Sequence, residues 1–258
     1  MKEKFGLELD KYKHEESAKA ANYILATSID KCTKRTENET FIRDRFDFTI
    51  VGYGSRVSNL LQELFNSPFA KPSELAKSCL RLESNKEIFD DGEGGEVVEE
   101  YQSPVWIEAR ADGSTPMDGG FNLLTSLLET WVKTHSESFP PVVFNITDGI
   151  PDDMLKAQMS ANKLKSVRTL DGSALLFNVH ISSDNAHQVV LPSHQEELPL
   201  GDNYAKFLFD LSSPLPKRLI ERARLSGLDV KAGAKAFVYN ADPATLVEIL
   251  EVGSQLDS

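Results

Sequence analysis

The sequence predicts an α/β layered fold with a mostly parallel central sheet flanked by helices. Three observations predict it. Short β-branched and aromatic runs alternate with amphipathic helical stretches along the chain. The run Val142-Val143-Phe144-Asn145-Ile146-Thr147 is nearly all apolar, the mark of a strand buried on both faces. Helix boundaries coincide with caps and breakers, notably Pro140-Pro141, Asp152-Asp153 and Asp242-Pro243.

The elements follow in order. Glu15 to Lys34 reads as a helix, because Ala18, Ala21, Ile24, Leu25, Ser28 and Ile29 recur at helical spacing. Thr33 to Asn38 is polar and breaks it. Phe46 to Tyr53 is β-branched and aromatic, ends at Gly52 and Gly54, and reads as a strand. Residues 55–103 read as an irregular insertion, with Pro68, Pro72 and an exposed acidic, glycine-rich loop from Asp90 to Glu96. Pro104 to Arg110 is a further strand and Ala111 to Pro116 a small-residue loop. Gly120 to Thr134 is a helix with Phe121, Leu124, Leu127, Leu128 and Trp131 on one face. After the strand 142–147, Asp152 or Asp153 caps a helix reaching about Arg168. Ala174 to Ile181 is an apolar strand, and 184–201 a loop. Tyr204 to Leu225 is helical, interrupted near Pro214 and Pro216. Lys235 to Tyr239 is a last strand, and Pro243 to Val252 a last helix with Pro at its first position. No repeat or linker divides the chain, so residues 1–258 read as a single domain.

Charge narrows the partners. The chain has 28 Lys+Arg against 40 Asp+Glu, a net charge of −12. That argues against nucleic acid or an anionic membrane, which need clustered Lys and Arg. Cys32 and Cys79 are too few for a disulfide scaffold and read as reduced thiols in a cytoplasmic protein. No apolar run approaches the ~18–20 residues of a membrane helix, and no apolar leader follows Met1.

In an open α/β sheet, ligands bind at the carboxyl ends of the strands. Among the residues there, Thr115 and Asp148 stand out: a hydroxyl and a carboxylate are hard oxygen donors suited to Mg²⁺ or Mn²⁺. The same residues also suit plain structural roles, Thr115 as a helix cap and Asp148 in an Asx turn.

The segment Gly113-Ser114-Thr115-Pro116-Met117, a helix, and then Val142 to Gly149 resembles the von Willebrand factor type A (vWA) domain family, more narrowly its bacterial cytoplasmic members. Phe46 to Gly54 resembles that family's second strand, and Ala236 to Asp242 its final strand and turn. The resemblance implies a doubly wound, three-layer sandwich that carries a metal-ion-dependent adhesion site, with Thr115 and Asp148 supplying two of the site's three loops. It implies a non-enzymatic protein-interaction module, whose partner offers a carboxylate to the metal. It further implies a scaffold or adaptor in a bacterial multi-protein system, such as a stress-signalling one. The third loop, D-x-S-x-S after a first central strand, occurs nowhere in this sequence. The expectation is a truncated or mis-started chain lacking ~20–40 residues at its front, the length of a strand and its loop, with a genuine variant that lost the site as the alternative. Such a chain binds divalent metal weakly or not at all.

Other signals are weaker. Gly52-Tyr53-Gly54, with a helix at Ser58 to Leu64, resembles a dinucleotide-binding turn, and a nucleotide-binding α/β enzyme is the alternative function. No third glycine supports it. The acidic run 90–96 lacks the spacing of a Ca²⁺ loop. His14, His135, His180, His187 and His194 form no metal-ligand pattern. His180, on an apolar strand, is expected inside and hydrogen-bonded, with His187 and His194 in solvent.

Overall fold

A computed structural model describes residues 13–36, 39–90, 96–108, 114–181 and 187–240, together with 245, 248 and 249. Its contacts gather into two compact units. One comprises Met1–Ser17, Val51–Ser58 and Arg110–Ser258, the other Ala18–Ile50 and Asn59–Ala109.

The first element of the described residues is α1 (Lys13–Cys32), on the expected apolar spacing. The polar stretch after it is not a plain break. β1 (Thr33–Arg35) pairs antiparallel with β2 (Thr40–Ile42), and short range alone suffices to close so small a ribbon. Of the strand expected over 46–53, only β3 (Val51–Tyr53) forms, hydrogen-bonded to β4 (Val57–Asn59). Phe48 makes an isolated bridge to Ala70 instead of extending the strand. Asn59 then caps α2 (Leu60–Phe65), its side chain accepting from the N–H groups of Leu61 and Gln62. A short turn of helix, α3 (Pro72–Leu75), follows.

The insertion is more ordered than its composition suggests. β5 (Arg81–Asp90) and β6 (Glu96–Val105) form an antiparallel hairpin in full register, from Arg81 opposite Val105 to Asp90 opposite Glu96. The strand expected over 104–110 is therefore the far end of β6, and it stops at Val105. Solvent reaches both faces of the hairpin, so its sequence lacks the apolar stripe that marks a half-buried strand. The loop residues 91–95 lie outside the described residues.

Trp106 and Ile107, just past β6, belong to the core of this second unit with Leu25, Leu61, Ala70 and Leu75. Asn22 of α1 holds them there. Its Oδ1 accepts from the N–H groups of Trp106 (2.8 Å) and Ile107 (3.1 Å), and its Nδ2 donates to the Ile107 carbonyl (2.8 Å). Trp106 Nε1 donates to the carbonyls of Leu75 and Ser78. Both backbone N–H groups, the Ile107 carbonyl and the indole N–H of this buried turn thus find partners.

The first unit holds the sheet. Its elements are α4 (Met117–Trp131), β7 (Val142–Thr147), α5 (Met154–Ser166), the small ribbon β8 (Arg168–Thr169) with β9 (Gly172–Ser173), and β10 (Leu175–His180). Then come β11 (Val189–Val190), a 3₁₀ turn at Gln195–Glu197, α6 (Asn203–Leu211), α7 (Lys217–Leu225) and β12 (Phe237–Tyr239). The strand order is β11-β12-β10-β7. β10 is parallel to both neighbours, and β11 adds an antiparallel edge. The fold is mixed α/β with a four-stranded mixed sheet.

Two expectations about this sheet change. The strand buried on every side is β10, whose six residues are all buried, whereas β7 alternates between buried and half-buried positions. The reason is position: β10 lies between two strands, and β7 ends the sheet. Among the described residues no strand is hydrogen-bonded to the outer edge of β7. The helix expected over 243–252 lies outside the described residues, apart from Thr245, Glu248 and Ile249, which are helical.

No helix among the described residues is long and apolar enough to cross a membrane.

Candidate functional site

Of the two candidate residues only Asp148 directly follows a described strand, since the strand expected before Thr115 stops at Val105. Thr115 lies in the loop before α4, and Asp148 in the turn after β7. The structure brings the two loops into contact. Thr115 N–H donates to Asp152 Oδ1 at 2.9 Å, while Asp152 N–H donates to the Thr115 carbonyl at 3.0 Å. A Cβ placed on Gly149 would lie 2.8 Å from Thr115 Oγ1, so only glycine admits so close a hydroxyl. Thr115 and Asp148 are both half-buried.

The simpler roles open to these residues are filled by others. Pro116 holds the N-cap position of α4 and no side chain caps it, so Thr115 is not its cap. Thr147 closes the turn that Asp148 was suited to close: its Oγ1 accepts from Gly149 N–H at 3.2 Å. Asp153 caps α5, accepting from Lys156 N–H. Asp152, which reads in the sequence only as a second cap candidate, instead clamps Thr115.

Beneath this rim runs a buried polar chain. Tyr53 Oη donates to Asn145 Oδ1 at 2.6 Å, and Asn145 Nδ2 donates to Asn178 Oδ1 at 2.8 Å. Asn178 Nδ2 in turn donates to Ser212 Oγ at 3.0 Å and to the Leu208 carbonyl at 3.2 Å. Burial pushes the Tyr53 hydroxyl well above its ordinary pKa, so it remains a donor. The sequence signal for this chain was an asparagine inside each of two apolar strands.

His180 ends β10. It is buried as expected, with Nε2 at 3.5 Å from Asp202 Oδ2. Its ring meets Tyr204 and Tyr239 edge-on, with centroids 5.0 Å and 5.1 Å away. Burial lowers its pKa, and the Asp202 carboxylate pulls the other way without overcoming it. The imidazole is therefore neutral near pH 7. His187 and His194 are exposed.

The metal reading fits these residues only in part. Thr115 and Asp148 offer two oxygen donors, where Mg²⁺ takes about six in near-octahedral geometry. Among the described residues no three His, Cys, Asp or Glu side chains gather as a metal site. The glycines 52 and 54 do not open a helix: β4 follows them, and α2 begins only at Leu60. A phosphate-binding turn needs the helix N-terminus directly after the glycines.

Comparison of the chain with protein-family models, with curated proteins and with solved structures gave no significant match.

Proposed function

We propose that the chain is a non-enzymatic, vWA-type protein-interaction module, whose adhesion site is incomplete. The observation that carries this reading is the meeting of the Thr115 loop with the Asp148-Gly149 turn at the end of β7. Neither Thr115 nor Asp148 does the capping or turn-closing work that would otherwise account for it. The outer edge of β7, to which no strand is hydrogen-bonded among the described residues, supports the finer reading, a doubly wound sheet whose first central strand is missing. In that reading the strand pairs with β7 and delivers the D-x-S-x-S donors beside Thr115 and Asp148. The complete site would hold Mg²⁺ or Mn²⁺ and take a carboxylate from a protein partner. The setting is a bacterial cytoplasmic assembly in which the module acts as scaffold or adaptor, with stress signalling the system the resemblance favours.

The test uses calorimetry with Mg²⁺ and Mn²⁺, with and without a synthetic peptide of an apolar strand followed by D-x-S-x-S. The chain alone is expected to bind neither ion with micromolar affinity. The peptide is expected to slow amide exchange along β7 and to create metal binding that Asp148→Ala removes. A peptide that leaves both unchanged overturns the reading. Stabilisation by NAD, ATP or GTP, with no response to metal, favours the nucleotide-binding enzyme instead.

A further inference from the structure

The β5–β6 hairpin carries open strand edges and exposed apolar side chains. Each strand has ten residues, so the ribbon runs about 33 Å at ~3.3 Å per residue. It pairs with no further strand among the described residues, leaving one open edge on β5 and one on β6. Solvent reaches both faces. Leu82 (60% exposed) and Val98 (53%) lie on one face, Val97 (53%) and Tyr101 (47%) on the other. A lone two-stranded ribbon is marginal in water, and an open edge beside exposed apolar side chains is a template for another strand. Its base, by contrast, is fixed, since Trp106 and Ile107 are locked into the core by Asn22.

Charge selects the occupant. Residues 81–105 hold two basic and eight acidic side chains, a net −6, half of the chain's −12. Both basic groups are already engaged: Lys86 with Glu100 at 2.6 Å, and Arg81 with Glu108 at 2.8 Å. A second copy would set −6 against −6, and nucleic acid or an anionic bilayer would add like charge. A basic strand satisfies the open edge, the exposed apolar residues and the excess carboxylates together.

We propose that the β5–β6 hairpin captures an extended, basic segment of a partner protein as an added strand. Alternate apolar residues of that segment lie against Leu82 and Val98, or against Val97 and Tyr101, while its Lys or Arg face the carboxylates. This holds whether or not the adhesion-site reading stands.

The experiment titrates the full chain with three ten-residue probes: alternating Lys and Val, alternating Glu and Val, and alternating Lys and Ser. Calorimetry gives affinity, and hydrogen exchange locates the site. The Lys–Val peptide is expected to bind at least about tenfold more tightly than either other probe, and less tightly as salt rises. It should slow amide exchange in β5 or β6. The variant L82S/V97S/V98S/Y101S, altered only at exposed positions, is expected to keep its thermal transition and lose about tenfold in affinity. Four outcomes overturn the proposal: no binding, equal binding of the Lys–Ser peptide, undiminished binding to the variant, or protection confined to residues outside 81–105. Self-association that the variant abolishes also overturns it, in favour of a second copy.

Discussion

Asn145 and Asn178 face each other on neighbouring parallel strands, and the Asn145 amide donates to the Asn178 carbonyl at 2.8 Å. Both are buried, at 4% and 0% exposure. They join Tyr53 to Ser212 in a chain of four residues and so tie the β3 ribbon, β7, β10 and the end of α6 together. An apolar core fixes composition loosely. A satisfied polar chain fixes register, because a slip by one residue would leave every member unpaired.

Asn178→Ala is therefore expected to be strongly destabilising. It strands the Asn145 amide N–H in a dry interior, at about 1–3 kcal/mol for an unsatisfied group, and takes the Asn178 donor from Ser212 Oγ, which keeps its own bond to the Leu208 carbonyl at 2.8 Å. Asn145→Ala strands the Tyr53 hydroxyl in the same way. The double variant should lose less than the sum of the two, which a urea-melt cycle measures. Strict additivity would mean that the two amides do not act as a unit.

Gly149 tests the contact between the two candidate loops. An added methyl group meets Thr115 Oγ1 at 2.8 Å. Gly149→Ala should cost about 1–3 kcal/mol, the usual range for overpacking. Thr115→Ala removes the obstructing hydroxyl, so the double variant should recover most of that loss. Unchanged melting of Gly149→Ala would show that the loops part without cost.

Much of the first unit was legible because its elements obey one period each. The runs over 142–147 and 174–181 became β7 and β10 at nearly the expected bounds, and Asp153 capped α5 as its position suggests. The hairpin was not legible. Its residues alternate for a ribbon wet on both sides, so no hydrophobic period marks them. The Phe46 strand failed differently: its β-forming residues are present, yet only Val51–Tyr53 find a ladder partner. Thr115 and Asp148 could be picked out as strand-end oxygen donors, but the Asp152 clamp between their loops is tertiary. Nothing in local sequence tells a capping aspartate from one that reaches back 37 residues.

His180 gives a pH signature. Its ordinary pKa is 6.5, and burial lowers the folded-state value despite Asp202 nearby. Below pH 6.5 the unfolded chain therefore binds a proton that the folded chain resists. Stability is expected to be full above that pH and to fall as pH drops toward the folded-state pKa. The slope for one proton is at most about 1.4 kcal/mol per pH unit. Urea melts between pH 7.5 and 5.5 should show it, and His180→Gln should flatten it. An unchanged slope in that variant would assign the effect to another group.

Glu197 gives the opposite case, in the acid range. Its carboxyl is pulled from 4.5 to about 2, first by Lys231, whose Nζ donates at 2.7 Å, and then by Ser193 and His194. Oε1 accepts from the Ser193 N–H, the Ser193 hydroxyl and the His194 N–H, which closes the 3₁₀ turn. Because the folded-state value lies below the unfolded one, this contribution is present above pH 4.5 and is lost as pH falls toward 2. Carboxyl-carbon NMR titration should place Glu197 near the bottom of the range. In Lys231→Met its pKa should move partway back toward 4.5, since the backbone donors remain. A Glu197 that titrates near 4.5 in the unaltered protein would show that neither the lysine nor the turn holds it ionised in solution.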